Sequence, residues 1–164
     1  VPRERESPAM ETWNQSSDSA RSHTPGMVNR RIDQHVEACV RHMATRADRP
    51  EMSRYLQRLE REWDLNRAVM VATAALGALG LLIGKKDGGR WRVLSGVAAA
   101  ALLQHGMFGF GPLSGPLRAL GVRTRREIDL EKFAIKALRG DFERIPNDGG
   151  PMARANAALV AAQS

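Results

Sequence analysis

The sequence predicts an all-α chain organised around a two-helix transmembrane hairpin, and three observations predict it. Residues 68–84 and 93–111 contain no Asp, Glu, Lys or Arg. The segment between them, KKDGGRWR, combines turn chemistry with strong positive charge. Both flanks carry apolar residues at helical spacing among many charged ones. The expected organisation is a disordered tail over residues 1–27, an amphipathic helical region over 28–67, the transmembrane hairpin over 68–121, a surface amphipathic helix over 122–142 and a flexible tail over 143–164.

The first 27 residues are Ser-, Pro- and charge-rich, with Trp13 as the one large aromatic side chain. Such a stretch buries too little apolar surface to offset its ordering entropy. It also lacks the apolar stretch of a secretory signal. Position 1 is Val, read as an alternative start codon or a trimmed end, and Met10 and Met27 are candidate starts. From residue 28 the pattern changes. Ile32, Val36, Cys39, Val40, Met43 and Ala47 form a helical stripe. Asp48-Arg49-Pro50-Glu51 breaks this helix and starts the next, because Asp caps a helix N-terminus and Pro suits its first turn. Met52, Tyr55, Leu56, Leu59 and Trp63 then line one face, and the pattern runs on without a stop into residues 68–84. A basic amphipathic stretch of this kind reads as an interfacial helix leading into lipid, or as a helix of a soluble bundle.

Residues 68–84 are 17 long, which is short for a span. In the turn, Lys85, Lys86, Arg90 and Arg92 are expected at lipid headgroups, with Trp63 and Trp91 at the interface. Each arm inserts weakly alone, so close pairing is required. Gly77, Gly80 and Gly84 on the first arm and Gly96 on the second supply the small surfaces that let helices approach. Gln104 and His105 interrupt the second arm and are expected to act as polar packing groups, with Thr73 a partner for Gln104. Prolines 112 and 116 end that helix. Thr124 and Glu127 make a capping box for a last clear helix over about 125–139, which Gly140 closes. On its wheel Leu130, Phe133, Ala134, Ile135, Ala137 and Leu138 form the apolar arc, and Lys132, Lys136 and Arg139 fall opposite.

Net charge is +7, and the excess sits beside the apolar segments. That placement suits headgroups better than a nucleic-acid stripe, so no nucleic acid is expected. One cysteine, Cys39, excludes an intrachain disulfide.

Residues 66–142 carry a further pattern. Phe-Gly-Pro-Leu at 110–113, Leu-Arg-Ala-Leu-Gly-Val at 117–122, Arg-Thr-Arg-Arg-Glu-Ile at 123–128 and Lys-Ala-Leu-Arg-Gly-Asp-Phe at 136–142 resemble the YgaP-like transmembrane domain family, small bacterial inner-membrane hairpins of unknown function. The resemblance implies location and fold, with no reaction attached. The family usually has Cys before the Pro-Leu, where this chain has Gly111, so a thiol role there is not implied.

His35, Cys39 and His42 recur on one side of a helix and form a candidate metal set, against the simpler reading of boundary residues beside an apolar stripe. No paired carboxylates, phosphate loop or nucleophile-and-base set stands out, so no catalytic residue and no cofactor is expected. The leading expectation is a non-enzymatic protein of the cytoplasmic (inner) membrane, both termini cytoplasmic, serving as anchor or assembly element. Its partners would be the lipid bilayer and a second copy or a membrane protein. The alternatives are a metal- or redox-linked membrane protein using His35, Cys39, His42 or His105, and a soluble helical bundle.

Overall fold

The apolar stripe beginning at Ile32 forms a long helix, and the Asp48-Pro50 signal starts another. In the computed structural model, which describes residues 18–85, 90–145 and 150–163 apart from the side chain of Arg144, the element order is α1 (Ser19–Ser22), α2 (Gly26–Arg46), α3 (Arg49–Arg61), α4 (Leu65–Gly84), α5 (Arg92–Phe108), α6 (Ser114–Ala119), α7 (Arg125–Arg139), a 3-10 turn (Asp141–Arg144) and α8 (Pro151–Gln163). The chain divides into two compact units: Val1–Asn29 with Leu65–Thr124, and Arg30–Asp64 with Arg125–Ser164.

In the second unit Met43 of α2, Met52, Leu56 and Leu59 of α3, and Ile128 and Ile135 of α7 form one buried cluster. Val40, Ala47 and Tyr55 pack against it. The Asp48 carboxylate accepts from the Glu51 amide at 2.8 Å and caps α3. Burying side chains of this size contributes roughly 1.5–3 kcal/mol each. In the first unit Ala20, Leu65 and Val69 are buried, with Leu113, Leu117 and Val122 packed on them. Helices α4 and α5 pair tightly. A Cβ on Gly80 would stand 2.6 Å from Ser95 Oγ and 2.8 Å from the Trp91 carbonyl, so only glycine permits this approach.

The transmembrane hairpin is corrected on three grounds. A pair of spans needs about 20 apolar residues in each. Among the described residues only one run, Arg49–Gly84, is long and apolar enough to cross a membrane. The second arm, α5, has 17 residues, about 25 Å at 1.5 Å per residue, the short limit for a span. The expected long helix entering the bilayer is also broken: α3 ends at Arg61, and Glu62 has extended backbone with φ −64° and ψ 139°. Finally, Arg118, Glu131 and Lys136 are fully buried, with Glu127 4% and Arg123 6% exposed. Each unit is helical and holds buried ions of its own, Arg118 and Arg123 in the first and Glu127, Glu131 and Lys136 in the second. The lipid bilayer and a membrane protein as partners, the inner-membrane location and the membrane anchor or assembly role fall with the hairpin. Hydropathy identified apolar helices correctly but said nothing of where the charges around them go.

Two further expectations change. Part of the stretch expected to be disordered is ordered: Asp18 caps α1 through the Arg21 amide at 3.2 Å and its other oxygen accepts from Thr124 Oγ1 at 2.6 Å. Residues 1–17 lie outside the described ones. Helix α7 is a core helix, not a surface one. It buries Glu127, Ile128, Glu131, Ile135 and Lys136, while Phe133 and Leu138 remain exposed.

Candidate functional site

Polar side chains of the second unit converge on α7 and its exit. Tyr55 on α3 donates its hydroxyl to Glu131 Oε1 at 2.8 Å. Burial, then hydrogen bonds to Cys39 and Glu131, pushes the Tyr55 phenol well above the ordinary tyrosine range. One turn and more further along α7, the Lys136 ammonium donates to the Ala162 carbonyl at 2.6 Å and so closes α8. Burial, reinforced by neighbouring Lys132, pulls Lys136 below the ordinary lysine range.

Arg139 ends the series. Its Nε reaches Asp141 Oδ1 at 2.9 Å, its Nη2 reaches Asp141 Oδ2 at 2.5 Å, and its Nη1 donates to Ser53 Oγ at 2.8 Å. Gly140, in the left-handed region at φ 83°, makes the sharp turn that brings Asp141 back onto Arg139. Ser53 in turn donates to the Arg49 carbonyl at 2.9 Å. Arg49, Ser53, Arg139 and Asp141 form the polar side of a cleft of about 470 Å³, and Ala157, Val160 and Ala161 of α8 form its apolar side. This volume falls in the range of small-ligand sites.

His105 is the centre of a second polar cluster, in the first unit. Its Nε2 lies 3.1 Å from Asn66 Oδ1, and its Nδ1 lies 3.4 Å from Ser114 Oγ. Asn66 Oδ1 accepts only, so Nε2 carries the proton and Nδ1 receives the serine hydroxyl. Burial lowers the His105 pKa, which favours this neutral form.

The structure places the other sequence-predicted residues as follows. His35 Nε2 and Cys39 Sγ are 3.7 Å apart, Cys39 is half-buried, and His42 is exposed. Among the described residues no group of three or more His, Cys, Asp or Glu is arranged to hold a metal. Gly77 faces Ala98 at 3.8 Å, Gly80 and Gly84 meet the start of α5, and Gly96 faces open space. Gln104 is exposed, and Thr73 bonds back to the Val69 carbonyl instead. The cross-hairpin bond is made by Ser95, whose hydroxyl donates to the Gly77 carbonyl at 2.8 Å. Trp63, Lys85, Arg90, Trp91 and Arg92 are exposed, and Lys86 lies outside the described residues. The outward sides of α4 and α5 also expose Leu79, Leu82, Val93, Val97, Leu103 and Phe108. Apolar faces of this kind mark interaction surfaces in general.

Sequence reasoning missed the cleft and the Tyr55–Glu131 pair. The available signal was an acid, Glu131, one turn from Ile128 and Ile135 on the same helix, and two arginines flanking the core helices. Fold and site together define an all-α protein of two helical units, each with buried charged side chains. Comparison of the chain with protein-family models, with curated proteins and with solved structures finds no match.

Proposed function

We propose that this chain is a helical-bundle binding protein that acts in solution and holds a small amphipathic molecule, without turnover, in the cleft of its second unit. The cleft itself carries the reading: one side is apolar, from Ala157, Val160 and Ala161, and the other is polar, from Arg49, Ser53, Arg139 and Asp141. Binding sites for small molecules combine these two kinds of lining. The polar wall is held rigid, because the Arg139 guanidinium is tied to Asp141 and Ser53. The ionic core supports the same reading, since Lys136 fixes the end of the helix that supplies the apolar side.

The test is an amide NMR titration of the full chain with hexan-1-ol. The expected result is saturable shifts at Ala157, Val160, Ala161 and Ser53. A Val160→Glu variant is expected to lose them while keeping its helical circular dichroism. Shifts that do not saturate, or that scatter over other surfaces, contradict the reading.

A further inference from the structure

A guanidinium donor that no protein group takes up is hydrated in the free protein and can exchange that water for an anion, to which its hydrogen bonds are stronger. The two arginines of the cleft differ in this respect. Arg139 lies in a bidentate arrangement on Asp141 and donates its remaining nitrogen to Ser53. Its side chain is 13% exposed and that of Asp141 is 14% exposed, so this pair is sequestered and nearly neutral in sum. Arg49 is exposed, and among the described residues its guanidinium has no hydrogen bond or ion pair. Its Nη2 lies 3.5 Å from where a Cβ of Gly140 would stand, at the entrance to the turn that carries Asp141. Glu143 Oε2 lies 3.2 Å from the same point, but Glu143 does not line the cleft. Asp141 is held by Arg139, so among the described residues the charge on the lining that no hydrogen bond or ion pair takes up is the positive charge of Arg49.

We propose that the cleft is an anion site that takes a small aliphatic carboxylate, with the carboxylate on the Arg49 guanidinium and the hydrocarbon against Ala157, Val160 and Ala161. The proposal rests on the reading of the cleft as a ligand site and adds the charge of the ligand to it. A carboxylate matches the fork of a guanidinium in a way that an alcohol or an ammonium does not. The Ser53 hydroxyl is spent on the Arg49 carbonyl, which leaves Arg49 as the group that discriminates.

The experiment titrates the full chain with hexanoate, hexan-1-ol and hexylammonium at the same ionic strength, read by amide shifts of Ala157, Val160 and Ala161. Hexanoate is expected to bind about two- to fivefold more tightly than hexan-1-ol, the size of one solvent-screened ion pair, and hexylammonium more weakly than both. Arg49→Gln is expected to bring hexanoate down to the level of the alcohol and leave the alcohol unchanged. Arg49→Glu is expected to favour hexylammonium. If hexanoate and hexan-1-ol bind alike, or if Arg49→Gln leaves the hexanoate affinity as it was, the anion assignment is overturned while the cleft remains a ligand site. If none of the three binds at α8, the cleft reading itself falls.

Discussion

Lys136 Nζ donates to the carbonyl of Ala162 at 2.6 Å, so a fully buried ammonium from α7 closes the last turn of α8. The last carbonyls of a helix have no partner within it, and a cation there satisfies them and opposes the helix dipole. Lys136→Met keeps much of the side-chain volume and removes the donor. The variant is expected to be less stable by about 1–3 kcal/mol in urea unfolding, the magnitude for losing a hydrogen bond to a charged group. Its amides near Ala161 and Ala162 are expected to lose hydrogen-exchange protection. Equal protection in both proteins would mean that α8 is held by other contacts.

Tyr55 is the chain's one tyrosine, so its ionisation is read directly from phenolate absorbance. Burial and the hydrogen bonds to Cys39 and Glu131 raise its pKa in the folded chain. In urea it returns to about 10. A raised folded pKa means that the folded state holds the proton more tightly. The associated stability is fully present below about pH 10 and is lost as the pH climbs through the folded value. The native titration is therefore expected to be displaced upward from that of the unfolded chain. Coincident titrations would contradict the Tyr55–Glu131 geometry.

His105 gives the opposite dependence. Burial lowers its pKa in the fold, so the unfolded chain binds more protons over the interval between the two values. Stability is complete above the unfolded value of about 6.5 and falls as the pH drops from there to the folded value. The urea midpoint is expected to decline on acidification through this window, and His105→Gln to flatten the decline. An unchanged slope in the variant would assign the acid sensitivity to another group.

Gly80 and Gly96 should respond in opposite directions to alanine. A Cβ at Gly80 would strike Ser95 Oγ at 2.6 Å and the Trp91 carbonyl at 2.8 Å, whereas a Cβ at Gly96 meets nothing within 4 Å. Gly80→Ala is expected to destabilise the α4–α5 pair by about 1–3 kcal/mol. Gly96→Ala is expected to stabilise by about 0.5–1 kcal/mol through helix propensity alone. Urea unfolding of the two variants checks both, and equal effects would contradict the close approach at Gly80.

What was legible in the sequence was local. Ile32, Val36 and Met43 announce the buried stripe of α2 by spacing, Asp48 and Pro50 announce the start of α3, and Gly140 announces the end of α7. The Gly80 approach was legible as a small-residue pattern, although such patterns also arise by chance. The ionic interior was not. A helical wheel put Lys136 on the outer side of α7 because it weighs only that helix. The Ala162 carbonyl that receives it lies 26 residues away. The cleft was hidden for the same reason: Arg139 and Ser53 meet across 86 residues. Hydropathy then led to lipid, since it counts apolar residues in a window and is blind to charges paired at long range.

The most direct test of the helical-bundle account is sedimentation of the full chain from a detergent-free lysate. The account predicts that the chain stays in the supernatant after ultracentrifugation and runs as one species in plain buffer. Retention in the pellet after carbonate washing, with release only by detergent, would contradict it and restore a lipid-embedded hairpin.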